Sequence, residues 1–175
     1  MPPGLPLSQR KRDWFFVVCF AFFAFSSFYS DACYTVYGTD GDDRCVQANL
    51  AYAELAGDRL FAAQPEFLRT RTAVSAFVYG PFYLLLIFAF VRGANWIRTP
   101  ALIYVGAMVV GVCEHLAWEF RLGLVPRRPV VFLAINLPYL LVPLLLGARV
   151  WRAQPFGERS VASSGITTPL RDRAS

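Results

Sequence analysis

Residues Asn95–Phe120, NWIRTPALIYVGAMVVGVCEHLAWEF, decide the fold. The stretch opens with Trp96 and Arg98, residue types that settle at a membrane surface. It continues through an apolar run of a length that crosses a bilayer's hydrocarbon, which takes about 20 residues. It ends by placing Glu114, His115 and Glu119 where hydrocarbon is expected. Ionisable groups inside a membrane are functional-site candidates by default.

The rest of the chain repeats this pattern. Of its 175 residues, 56% are hydrophobic and 16% aromatic, and the mean hydropathy is +0.43. That is more apolar than an ordinary soluble domain. Apolar runs predict spans at about 14–36, 67–91, 100–120 and 129–151. The fold class read from them is all-α, a four-transmembrane-helix bundle with kinked helices. Residues 1–11 read as an N-terminal tail, 12–151 as the membrane domain and 152–175 as a disordered, Ser/Thr/Arg-rich tail. Arginines near Arg69 blur the start of the second span, so three-span and shifted readings stay open.

Proline places the breaks. Gly80-Pro81 lies inside the second span, and Pro138 and Pro143 lie inside the fourth. Each proline removes a backbone donor, and neighbouring helices must satisfy the freed carbonyl. Pro100 sits in the first turn of the third span, where a missing N–H costs little. Between the first two spans, Asn49–Phe61 reads as a short interfacial helix that contains Asp58.

Arg10, Lys11 and Arg12 precede the Phe-rich run from Trp14, which resembles the start of a signal peptide. The run is long for that role and no clear cleavage pattern follows, so we read it as a retained span. The formal charge is +5, but it is scattered over loops and tails. No basic face on a nucleic-acid-binding motif is present, so nucleic acid is not a partner. Anionic lipid headgroups fit these arginines better. The basic residues lie, by a small margin, on the side of the two chain ends, which favours cytosolic termini.

Four cysteines are present, Cys19, Cys33, Cys45 and Cys113. None stands in a Cys/His zinc spacing. Cys33 and Cys45 bracket the start of the first polar loop, and spacing alone leaves their pairing open. No nucleophile–base arrangement, phosphate loop or paired-glycine motif is visible, so no cofactor is assigned.

The polar residues of the spans carry the remaining information. Asp31 ends a nearly unbroken apolar run. It reads either as a cation-binding group or as a helix-end aspartate at the interface. His115 and Glu119 are four residues apart and share a helix face. They read either as a proton-moving pair or as the wet end of the helix beside Trp118, and the sequence favours the wet end. Asn136 and Tyr139 flank Pro138 and suit hydrogen bonding around a break. Tyr79 and Tyr104 line a pocket or pack.

Several of these residues resemble a known family. Gly93–Tyr104, with its Trp-Ile-Arg-Thr-Pro-Ala core, is similar to the start of the third helix in the sigma-2 receptor (transmembrane protein 97) family of the EXPERA group. Pro138–Leu146, PYLLVPLLL, is similar to that family's last helix. Arg12-Asp13-Trp14 resembles its approach to the first helix, and Tyr52-Ala53 followed by Asp58 resembles its first-loop element. The resemblance covers about residues 12–151. It implies an EXPERA-like bundle in the endoplasmic-reticulum membrane, multi-pass, with both termini cytosolic. It also implies a pocket, open sideways to the bilayer, for a sterol or a cationic amphiphilic lipid.

In that family an aspartate late in the first helix pairs with the ligand amine, and Asp31 stands in its place. A loop aspartate is structurally important, and Asp58 stands in its place. A supporting glutamate on the second helix corresponds to Ser75 here, a departure that alters the amine site or removes it. The residues assigned to the ligand pocket are Asp31, Asp58, Tyr79, Tyr104, Glu114, His115, Asn136 and Tyr139. No catalytic or metal-ligating residue is assigned.

The resemblance implies a binder with a role in sterol handling or in quality control of membrane and precursor proteins. Other membrane proteins or a second copy are its expected protein partners. The alternative is an enzyme like the sterol isomerase of the same group, moving a proton on a sterol ring. His115 and Glu119 have the spacing of that isomerase's His–Glu pair but lie on a different helix, so its catalytic role is not carried over.

Overall fold

The computed structural model describes residues 5–121 and 125–157. The tail expected from composition to be disordered begins at residue 152; residues 152–157 are described and packed on the bundle, and from residue 158 it lies outside the described residues. In chain order the helices are α1 (Asp13–Tyr37), α2 (Arg44–Ala56), α3 (Arg59–Ala63), α4 (Glu66–Arg92), α5 (Arg98–Arg121) and α6 (Pro129–Val150). Among the described residues there is no strand. α1, α4, α6 and the segment Asn95–Phe120, which includes most of α5, are long and apolar enough to cross a membrane. The all-α architecture read from the apolar runs is the one the chain adopts.

The helix ends follow from local chemistry. α1 stops at Gly38 and α4 at Gly93, both with positive φ, a conformation that glycine adopts without a Cβ penalty. α4 begins after Pro65, and α6 begins with Pro129 in its first turn. α1 packs chiefly on α4, and α5 on α6. Phe16, Phe20, Phe23, Tyr83, Phe90 and Leu146 are buried between them. Phe25, Phe77, Ile103 and Val130 point outward and are mostly exposed. An apolar shell around an apolar core suits a bundle whose solvent is lipid.

Two of the long helices contain a π-helical turn, Ser27–Asp31 in α1 and Ser75–Tyr79 in α4. In each, the following N–H donates five residues back, from Ala32 to Ser27 and from Gly80 to Ser75. In α4 the turn precedes Pro81, whose missing N–H would otherwise interrupt the α-helical ladder. The two turns face each other. Gly80 makes their approach possible: a Cβ there would meet the Phe28 ring at 3.0 Å.

The loop between α1 and α4 differs from the single interfacial helix expected over Asn49–Phe61. It forms two helices, broken at Gly57, which adopts φ 65°, and Asp58. Asp58 then caps α3 by accepting the Phe61 N–H at 2.7 Å. α2 packs on the π turn of α1 and on the start of α6. Cys33 and Cys45, left open by the sequence, form a disulfide that ties α1 to α2. Closing a loop of this size is worth about 3 kcal/mol.

The tails also contribute to the fold. Phe156 is buried, five residues past the expected boundary at Trp151, and packs against Phe90. Its carbonyl accepts the Leu5 N–H at 3.1 Å, and its own N–H donates to the Asn95 side chain at 2.9 Å. Arg10 and Arg149 both lie over its ring.

Candidate functional site

A cavity of about 950 Å³ lies between α1, α4, α5 and α6. That volume is within the range of small-molecule sites, roughly 300–1,000 Å³. Its apolar wall includes Phe22 and Phe23 of α1, Met108 and Val112 of α5, and Val142 of α6. The helices cannot close this space because each presents polar or kink-forming residues there. The two π turns, Pro138 and the α2–α3 loop all border it.

One acidic centre is Asp31, at the end of the α1 π turn. The Ser75 hydroxyl donates to its Oδ2 at 2.6 Å, and Ser75 also meets the Ser27 hydroxyl at 3.0 Å. Ser75 therefore links the two π turns through the carboxylate. Among the described residues, no arginine or lysine forms an ion pair with Asp31. The carboxylate lines the cavity, and its side-chain partners among the described residues are hydroxyls. A cation arriving from the cavity would supply the missing countercharge.

The second acidic centre lies toward the closed loop. Asp58 lines the cavity, accepts the Tyr52 hydroxyl at 3.0 Å and keeps its capping bond to Phe61. Asn136 donates to the Tyr52 oxygen at 3.3 Å and to the Phe132 carbonyl at 2.9 Å. Burial, and next the negative charge of Asp58, push the Tyr52 hydroxyl well above the usual phenol range. Tyr52 stays protonated and donates. One ligand atom each from Asp58, His115 and Glu119 lies within 4.8 Å of the others.

The expected pocket residues divide. Asp31, Asp58, Tyr79, Glu114, His115, Asn136 and Tyr139 line the cavity. Tyr139 stacks on Phe23 at 4.4 Å and donates to Ser26 at 3.0 Å. Tyr104 takes the packing role left open above: it is buried and meets the Tyr83 hydroxyl at 3.4 Å. Glu114 is exposed and pairs with Arg71 at 3.1 Å. Arg71 also donates to the Gly111 carbonyl, which anchors α4 to α5.

Glu119 corrects the reading of the charged helix end as interface. It is 0% exposed, whereas Trp118 beside it is 39% exposed. The shared face of His115 and Glu119 turns inward, where Asp58 at the α2–α3 break meets both and the Phe132 ring lies against His115. Sequence reasoning also passed over Arg71 and the Ser30–Asn49 pair at 2.6 Å. An arginine just inside an apolar span was the available signal for Arg71.

A cavity lined by Asp31 and Asp58 lies among four helical segments long and apolar enough to cross a membrane, the architecture of a multi-pass membrane protein. The family model described as EXPERA (expanded EBP superfamily) matches residues 44–150. That is more than half of the chain, which belongs to the EXPERA family. The chain is also similar to sigma intracellular receptor 2 of Xenopus tropicalis, with 31% identity over 99 residues. The match covers 51% of this chain and 58% of the relative, so it spans less than two thirds of that protein.

Proposed function

We propose that the protein holds a sterol or a cationic amphiphilic lipid in the 950 Å³ cavity, with Asp31 as the partner of the ligand's amine. The observation that carries this reading is a cavity-lining carboxylate with hydroxyl partners and, among the described residues, no cationic one. The similarity to a sigma intracellular receptor supports it. Ser75 in place of a second carboxylate gives Asp31 a neutral hydrogen-bond partner, which suits pairing with a singly charged amine. The cellular role we infer is sterol handling or quality control of membrane and precursor proteins.

The location we propose is the endoplasmic-reticulum membrane with both termini in the cytosol. The Cys33–Cys45 disulfide lies at the end of the bundle opposite the Leu5–Phe156 contact. Disulfides persist in the lumen rather than the cytosol, which supports this orientation. Glycosylation acceptors placed in the 39–43 turn should be modified, and acceptors after Gly157 should not.

Binding of a fluorescent cationic amphiphile to the purified protein in detergent tests the site. Asp31→Asn should weaken binding by about 30-fold or more, since removing one partner of a desolvated charge pair costs ~2–5 kcal/mol. A neutral sterol should lose far less. Equal affinity of parent and variant for the cation would remove Asp31 from the site.

A further inference from the structure

Glu119 is completely buried, and among the described residues neither of its carboxylate oxygens has a hydrogen-bond partner. Buried polar groups are satisfied in the great majority of cases, and an ionised carboxylate left alone is costly. Its polar neighbours include Asp58, His115 and Tyr52. Two facing carboxylates offer each other no donor unless they share a proton. An imidazole offers one nitrogen as a donor or a metal ligand.

We propose that Asp58, His115 and Glu119 form a binding site for a divalent transition-metal cation, with Zn²⁺ as the best match. Two carboxylates and one imidazole are a ligand set zinc accepts, and their joint charge balances a divalent ion. His115 and Glu119 share one face of α5, and Asp58 comes from the start of α3. In a tetrahedral zinc centre with bonds of about 2.1 Å, neighbouring ligand atoms lie roughly 3.4 Å apart. The observed limit of 4.8 Å closes to that spacing by side-chain rotation.

The surroundings suit a metal. Asp58 is already oriented by the Tyr52 hydroxyl and the Phe61 N–H, in the manner of outer-sphere groups that fix a ligating carboxylate. Each carboxylate oxygen retains a second lone pair for the ion. Asp58 and His115 also line the cavity, so a fourth coordination position faces the lipid site. An open position of this kind accepts water or a hydroxyl or carbonyl oxygen of a bound molecule. The absence of a local Cys/His spacing in the sequence is explained, because one ligand arrives from a distant loop. The proposal does not depend on the amine reading of Asp31.

Full-length, tag-free protein in detergent micelles, stripped with a chelator, tests it by competition against a chromophoric zinc indicator. The expected result is equimolar Zn²⁺ bound, no displacement by equal Mg²⁺ and a thermal midpoint raised by zinc. Glu119→Gln and His115→Gln should each weaken zinc at least about tenfold and abolish the thermal shift. Asp31→Asn and Cys113→Ser should leave zinc affinity unchanged. Circular dichroism of the metal-free variants checks folding, and Glu119→Gln, equal in shape to the parent residue, is the decisive one. The proposal is overturned if the parent takes up no zinc, in which case a proton shared by Asp58 and Glu119 neutralises the pair. It is equally overturned if a folded Glu119→Gln binds zinc as the parent does, or if Cys113→Ser loses it.

Discussion

Two carboxylates are buried at opposite ends of this bundle, and their environments differ in kind. At one end Asp13, 1% exposed, accepts a bidentate pair from Arg149 at 2.7 and 2.8 Å and a further bond from Arg10. Arg10 also donates to the Phe90 carbonyl at 2.5 Å, and Arg149 to the Pro155 carbonyl at 2.5 Å. At the other end Glu119 is buried as deeply and, among the described residues, has no such partners. The saturated carboxylate fastens helices and tails together, and its charge is spent within the protein. The unsaturated one holds its lone pairs for something that arrives. Burial alone does not separate structure from function; the state of the partners does.

Substitutions test this contrast. Asp13→Ala leaves two arginines facing each other without their anion. We expect a loss of about 3–5 kcal/mol, the cost of breaking a buried pair from one side. A thermal midpoint in detergent within a degree of the parent would show the ion cluster to be idle. Tyr52→Phe removes the hydroxyl that connects Asp58 to Asn136. The expected loss is smaller, about 1–2 kcal/mol, because a buried acceptor goes unsatisfied. A neutral result would mean that Asp58 is held by its capping bond alone.

Glu119→Gln should give the smallest effect in metal-free protein and carry the opposite sign. Removing an uncompensated ionisable group should leave stability unchanged or raise it by about 1 kcal/mol. If Glu119→Gln destabilises the metal-free chain as strongly as Asp13→Ala does, the two ends are alike and the contrast fails.

The architecture was legible in the sequence because its signal is local. Apolar length fixes the spans, and Pro65, Gly38, Gly93 and Pro129 fix most of their ends. The Trp96–Ala101 motif and the position of Asp31 were legible by resemblance, and Asp31 does line the cavity. Glu119 was not legible. Trp118 and Arg121 close by are the marks of a water interface, and Asp58, which meets the inward face, is brought there by a loop whose path no local pattern states. The π turn in α1 was hidden for a similar reason. No proline announces it, and it is stabilised by its counterpart in α4 across Gly80. Phe156 was missed because composition changes at Trp151, whereas the aromatic socket that receives it is assembled from Phe90, Arg10 and Arg149.

The seating of Phe156 sets a ruler on the chain. Asn95 grips the backbone on both sides of the ring, through the Phe156 N–H at 2.9 Å and the Gly157 carbonyl at 3.1 Å. Arg149 holds the carbonyl of Pro155 immediately before it. The distance along the chain from α6 to that socket is therefore metered residue by residue. Sequence added after Gly157 leaves this measure unchanged, whereas one residue inserted or deleted between Trp151 and Phe156 would put the wrong side chain in the socket.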